Sequence, residues 1–164
     1  MSDDLIDAAR ALLDLCRTKK LKIAAAESCT GGLLAATLTE IPGSSDVFDR
    51  GFVTYSNNAK EQVLGITAAT LETHGAVSRE TAEAMAKGAL THSGADLAVS
   101  ITGIAGPGGA TPGKPVGLVH LAAASRNGRL IHQERRLGDI GRAGIRRAAV
   151  AQAFAMLREL AQIL

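Results

Sequence analysis

At 164 residues, 46% of them hydrophobic, the chain fits one domain that buries about two thirds of its unfolded surface without metals or disulfides. A formal net charge of +2, with no Trp, one Tyr and three Phe, excludes a polyanion coat and an aromatic platform for single-stranded nucleic acid. Two cysteines, no apolar run of membrane length and an acidic start, Met1-Ser2-Asp3-Asp4, exclude a disulfide scaffold, a membrane span and a signal peptide, so a cytoplasmic protein is expected.

Leu5, Ile6, Ala9, Leu12, Leu13 and Cys16 recur at helical spacing behind Ser2-Asp3-Asp4, predicting a first helix that ends at Lys19-Lys20. The apolar run Leu21 to Ala26 predicts a strand. It breaks into Glu27-Ser28-Cys29-Thr30-Gly31-Gly32, a tight turn, before a helix resumes at Leu33 and runs to about Glu40, stopped by Pro42-Gly43. Ser44-Ser45-Asp46 is a turn, and Val47 to Tyr55 contains a strand. Asn57 or Asn58 then caps a short helix over Ala59 to Leu64. Thr67 to His74 reads as a short helix closed by Gly75, and Ser78 or Thr81 opens a longer one through Leu90. Ala95 to Thr102 is an apolar strand buried on both faces. Gly103 to Pro115 is a second glycine-rich loop. Val116 to Ala124 and Leu130 to Arg136 pair as a hairpin around Asn127-Gly128, and a last helix runs from Arg142 to Ile163.

Strands alternating with helices, followed by an antiparallel hairpin, predict an α/β layered fold with a mixed, mostly parallel sheet. In such sheets ligands gather outside the carboxyl ends of the strands. That rule brings Ser28 to Gly32, Tyr55 to Lys60 and Thr102 to Gly109 to one rim.

Several motifs fail on inspection. Gly108 to Lys114 has phosphate-loop spacing, but Pro115 replaces the hydroxyl residue and a strand follows instead of a helix. The four histidines, His74, His92, His120 and His132, fall on separate elements without metal-ligand spacing, and no metal or cofactor is expected. At the first turn, Ser28 and Thr30 serve equally as helix caps or as reactive groups. The free amides at the start of the following helix suit an anion or an oxyanion. Lys60, one helical turn beyond its strand, can reach back to the rim, where desolvation makes a lysine a general base; a solvated surface lysine beside Glu61 is the competing reading. Tyr55 is either a packing residue or a proton relay between Ser28 and Lys60. The positive charge gathered from Arg135 to Arg147 fits a single phosphate better than a duplex.

Four blocks in order, Ala26 to Gly32, Gly51 to Asn57 with Lys60 and Leu64-Gly65, Gly75 to Ser78, and Thr102 to Gly109 with Lys114 to Gly117, resemble the CinA C-terminal domain family, the nicotinamide-nucleotide amidohydrolases. The resemblance implies a three-layer α/β/α fold. It also implies hydrolysis of the carboxamide of nicotinamide mononucleotide, without metal or cofactor, in pyridine-nucleotide recycling. In such a scheme Ser28 is the nucleophile, Lys60 the base and Tyr55 its assistant. Thr30, Gly31 and Gly32 would hold the oxyanion, while Thr102, Gly103, Gly106 and Arg142 would bind the small-molecule nucleotide. Two departures stand out. The family's domain often follows a molybdopterin-binding-like domain absent from this sequence, so that domain's activity is not expected. Ile140-Gly141 also separates Gly138-Asp139 from the arginine pair Arg142 and Arg146. The alternatives are a nucleotide-binding domain without turnover and an amidohydrolase of another carboxamide. Neither nucleic acid nor membrane is an expected partner, while the apolar faces of the Ala-rich helices are compatible with a homo-oligomer.

Overall fold

The computed structural model describes residues 1–164, which form α1 (Asp3–Lys19), β1 (Ile23–Glu27), α2 (Leu33–Thr39), a 3₁₀ turn (Ser44–Asp46), β2 (Phe48–Val53), α3 (Asn57–Leu64), α4 (Ala68–His74), α5 (Arg79–Thr91), β3 (Leu97–Gly103), β4 (Leu118–Ser125), β5 (Leu130–Arg136) and α6 (Arg142–Gln162). The strands make one sheet in the order β2-β1-β3-β4-β5. β1 runs parallel to both β2 and β3, whereas β4 is antiparallel to its two neighbours, so four of the five strands point the same way. The sheet is mixed, as the sequence predicts. No helix is long and apolar enough to cross a membrane.

Side-chain alternation along the strands creates the layers. Ile23 and Ala25 of β1, with Leu97, Val99 and Ile101 of β3, face α1, α2 and α6, where Leu12, Leu34 and Phe154 fill the core. On the opposite face Ala24, Ala26, Ala98, Ala122 and Ala124 meet Ala82, Met85, Ala86 and Ala89 of α5. Small residues on both sides let that helix lie close to the sheet. The Ser100 hydroxyl can consequently donate across the layer to the Ala82 carbonyl, at 2.5 Å.

Local boundaries differ from the sequence expectation where hydrogen bonds intervene. Ser56, rather than Asn57 or Asn58, caps α3, its hydroxyl accepting the Ala59 amide at 3.0 Å. Helix α3 therefore starts two residues earlier than expected. Ser78 caps α5 by accepting the Thr81 amide at 3.1 Å. The β4–β5 turn closes through Gly128 N–H to the Ser125 carbonyl at 3.0 Å, with Gly128 at φ 93°. That is a turn followed by a glycine bulge, and the asparagine does not share the left-handed region.

Helix α5 also packs on α3 through Gly88, where an added Cβ would fall 3.0 Å from Leu64 Cβ and closer still to the Leu64 carbonyl oxygen. Helix propensity alone favours Ala over Gly by about 1 kcal/mol. The obstructing atom is backbone and cannot swing aside. Gly88→Ala is therefore expected to lose about 1–3 kcal/mol of stability, measured by urea unfolding.

Candidate active site

Three parallel strands end at one rim because β1 lies between β2 and β3, with Glu27 in register with Val53 on one side and Ile101 on the other. Ser28 is the next residue out. Its amide donates to the Ile101 carbonyl and the Thr54 amide donates to the Glu27 carbonyl, both at 2.9 Å, so neighbouring strand ends hold the turn from both sides. At this rim lies a cleft of about 300 Å³. The three chain segments whose convergence the sequence predicts all contribute to its walls, with Ser28, Tyr55, Lys60, Thr102, Gly103 and Gly106 lining it, and Ala76 and Val77 add a fourth segment that the sequence reading does not place there. Arg142, at the start of α6, lines it as well.

The lysine is placed by the start of α3. It lies one turn into that helix, and side chains there lean toward the helix N-terminus, which points at the rim. Lys60 Nζ donates to Ser28 Oγ at 3.1 Å and to the Thr54 carbonyl at 3.0 Å. The residue is 1% exposed and Ser28 is 9% exposed. No carboxylate lies within ion-pairing distance of Lys60. Burial therefore lowers its pKa below the ordinary lysine value, against a smaller opposing effect from Cys29.

Glu27, the acid nearest in sequence to Ser28, is occupied elsewhere. Its buried carboxylate accepts the amides of Gly32 at 3.2 Å, Leu34 at 3.0 Å and Ala35 at 2.9 Å. The Gly31 amide donates to the Ser28 carbonyl and the Leu33 amide to the Thr30 carbonyl, each at 3.0 Å. These bonds overturn the expectation that Gly31 and Gly32 offer free amides. Thr30, Gly31 and Gly32 lie outside the cleft lining, and neither Ser28 nor Thr30 caps α2. The glycines serve the turn itself, at φ 57° and 100°. The amides of Cys29 and Thr30, by contrast, donate to no carbonyl or side-chain oxygen.

Tyr55 does not stand between Ser28 and Lys60. It is 60% exposed at the mouth, and its hydroxyl accepts from Arg142 Nη2 at 2.8 Å. Arg142 Nη1 donates to the Gly106 carbonyl at 2.9 Å, so one guanidinium joins the β2–α3 connection to the glycine-rich loop. Arg146 is directed elsewhere, onto the Thr30 carbonyl at 2.9 Å. Thr102 Oγ1 donates to the Ala76 carbonyl at 2.7 Å. Cys29 lines the cleft beside Ser28, but burial pushes its thiol up to about 11, so it stays protonated near neutrality. Adjacent strands bring His120 and His132 together, Nδ1 to Nε2 at 2.9 Å, away from the cleft. No group of three or more His, Cys, Asp and Glu side chains is arranged to hold a metal.

Fold and site together define an α/β/α protein with a buried serine–lysine contact at the carboxyl rim of its sheet, beside a glycine-rich loop. The CinA C-terminal domain pattern matches residues 6–161, and the chain belongs to that family. The crystal structure of a competence/damage inducible protein from Agrobacterium tumefaciens superposes with a TM-score of 0.96 at 55% identity, covering 98% of this chain and 97% of that one. A CinA superfamily protein from Klebsiella pneumoniae superposes with a TM-score of 0.93 at 35% identity, covering 98% and 99%. A putative competence-damage inducible protein from Caldicellulosiruptor saccharolyticus is 50% identical over 148 residues, which is 90% of this chain and 36% of that protein. A CinA-like protein from Chlorobaculum tepidum is 57% identical over 115 residues, 70% of this chain and 27% of its own length. The chain thus spans between about a quarter and just over a third of the length of those two relatives.

The Glu27 bonds generate a test of the turn. Gln at this position keeps the shape but loses the charge, and it sets an NH₂ donor against backbone amide donors. Glu27→Gln is expected to lose about 1–3 kcal/mol in urea unfolding.

Proposed function

We propose that the protein hydrolyses the carboxamide of nicotinamide mononucleotide to nicotinate mononucleotide and ammonia. The observation that carries this reading is the direct 3.1 Å contact between Lys60 Nζ and Ser28 Oγ in a buried, carboxylate-free setting. The family resemblance supplies the substrate. In this scheme the neutral Lys60 amine accepts the hydroxyl proton as Ser28 Oγ bonds to the amide carbon. The carbonyl oxygen becomes an oxyanion, for which the amide of Cys29, the residue that lines the cleft beside Ser28, is the available donor. As the carbon–nitrogen bond breaks, the Lys60 ammonium returns the proton to the departing nitrogen and ammonia leaves. The acyl-enzyme remains. Water then loses a proton to Lys60, adds to the acyl carbon and releases the carboxylate, with Ser28 reprotonated.

Nucleotide binding falls to the other half of the cleft. Arg142 brings a guanidinium there, and the amides of Ala105, Gly106, Gly108 and Gly109 donate to no protein acceptor. Exposed loop amides and a planar cation suit a phosphate monoester. Tyr55 then acts by holding Arg142 at the mouth, not as a proton relay.

The deciding experiment is ammonia release from nicotinamide mononucleotide by purified protein, with and without a chelator. Saturable release is expected at equal rates in both. Lys60→Met is expected to lose about 10²–10⁴-fold in kcat, and Ser28→Ala to abolish turnover while nucleotide binding persists. Binding without release in the parent protein would favour a nucleotide-binding domain. Faster release from a carboxamide lacking phosphate would point to another substrate.

A pH series tests the base. Because the lysine is active when neutral, kcat is expected to rise with pH along one ionisation whose midpoint lies below the ordinary lysine value of 10.5. Stability follows the same sign. The unfolded chain keeps the Lys60 proton to higher pH than the folded one, so between the two pKa values stability rises with pH. Urea unfolding of Lys60→Met should lack that rise, leaving the parent progressively favoured over the variant as pH increases through this window.

A further inference from the structure

Gly108 to Lys114 has the spacing of a phosphate loop, yet Lys114 directs its ammonium to the protein's own backbone. Nζ donates to the His74 carbonyl at 2.9 Å. His74 is the last residue of α4, where carbonyls lack intrahelical partners and the dipole is negative. The lysine is presented by a rigid mount. Thr111 and Lys114 exchange two backbone bonds, at 3.0 and 2.9 Å, around Pro112 and Gly113, which has φ 82°. Proline then glycine is the pair a type II turn requires.

That turn is the tip of the glycine-rich loop. The neck of the loop closes through Ile104 N–H to the Leu118 carbonyl and Gly117 N–H to the Ile104 carbonyl, both 2.9 Å. Between neck and tip lie Ala105, Gly106, Gly108 and Gly109, which line the cleft. The segment gripped by Lys114 is equally tied down. Gly75 follows His74, and its carbonyl accepts the Ser78 and Thr81 hydroxyls at 3.0 and 2.6 Å. Ala76 and Val77, next along, line the cleft too. Gly75 itself leaves room for the lysine, since a Cβ there would fall 2.9 Å from Lys114 Nζ.

We propose that Lys114 is a positioning residue, a strap that fixes the glycine-rich wall of the cleft against the Ala76–Val77 wall and so sets the geometry of the nucleotide-binding half. It lies outside the cleft lining and makes no hydrogen bond to Ser28 or Lys60. The substrate in this inference rests on the nucleotide-amidase reading; the mechanical part does not. A strap of this kind acts on binding and leaves the chemical step alone.

Lys114→Met keeps the stem and removes the donor, whereas Lys114→Arg keeps a cationic donor. With nicotinamide mononucleotide, Lys114→Met is expected to raise KM about tenfold with kcat within about twofold, and Lys114→Arg to restore most of the loss. Amide hydrogen exchange on the substrate-free protein gives the second readout. Lys114→Met should speed exchange at the hydrogen-bonded amides of Ile104 and Gly117 at the loop neck and of Gly75 in the gripped segment together, and Lys114→Arg at none of them. Faster exchange confined to 111–115, an unchanged KM, or a fall in kcat at constant KM overturns the proposal. If the protein releases no ammonia at all, the exchange experiment still decides the strap, so the two readings fail separately.

Discussion

The carboxylate of Glu27 accepts the Gly32, Leu34 and Ala35 amides while its residue is still the last of β1, tying the strand end directly to the first turn of α2. Between those ties the chain has no slack. Ser28 is further pinned by its amide on Ile101 and its carbonyl under Gly31. A charged acceptor taking three amides also neutralises the positive end of the short helix, so that end offers nothing to a ligand. The same bonds keep the acid away from Lys60. A free carboxylate at the strand end would compete with Ser28 for the lysine and hold it as a cation.

Lys60 sits in the arrangement least comfortable for a lysine: 1% exposed, two hydrogen bonds, no counter-ion. A structural role would be better served by an apolar side chain of similar length, because a buried unpaired charge is destabilising. Burial lowers the lysine's pKa and so favours the neutral amine, the state that the proposed general base needs. Cys29 shows the same burial acting in the opposite sense. Desolvation holds its thiol protonated, while the serine beside it has the lysine as a hydrogen-bond partner.

Much of this was legible in the residues. The rim that gathers Ser28, Lys60 and Thr102 follows from strands alternating with helices, and the hairpin follows from Asn127-Gly128 between two stretches that read as strands. The acceptors of individual amides were not legible. A glycine pair before a helix reads as an anion cradle until one knows that Glu27 folds back over it, and a carboxylate five residues from an amide has no local signature of that bond. The cap of α3 falls one residue before the expected pair Asn57 and Asn58, on Ser56, whose backbone is extended at φ −106° and ψ 161° as a capping residue requires. Tyr55 beside a Ser-Lys pair reads as a relay; its actual partner, Arg142, lies 87 residues away in the chain. Lys114 matched a phosphate motif by spacing, and its acceptor is a main-chain oxygen, which no pattern of side chains can announce.

The two faces of the sheet are unequal. One carries 28 buried core residues rich in Leu, Ile and Val; the other carries 14, nine of them alanine. An alanine contributes a single methyl where a leucine contributes several carbons, at about 0.8 kcal/mol each, so the layer of α3 to α5 is held by much less apolar burial. Layers of that sort open first under thermal agitation. Lys60 belongs to the lightly held layer, and Ser28 stays with the turn bound to β1 and α2. The serine and its lysine therefore sit on opposite sides of the seam along which the molecule loosens most readily. On that division, warming would separate the two side chains while the larger core is still intact.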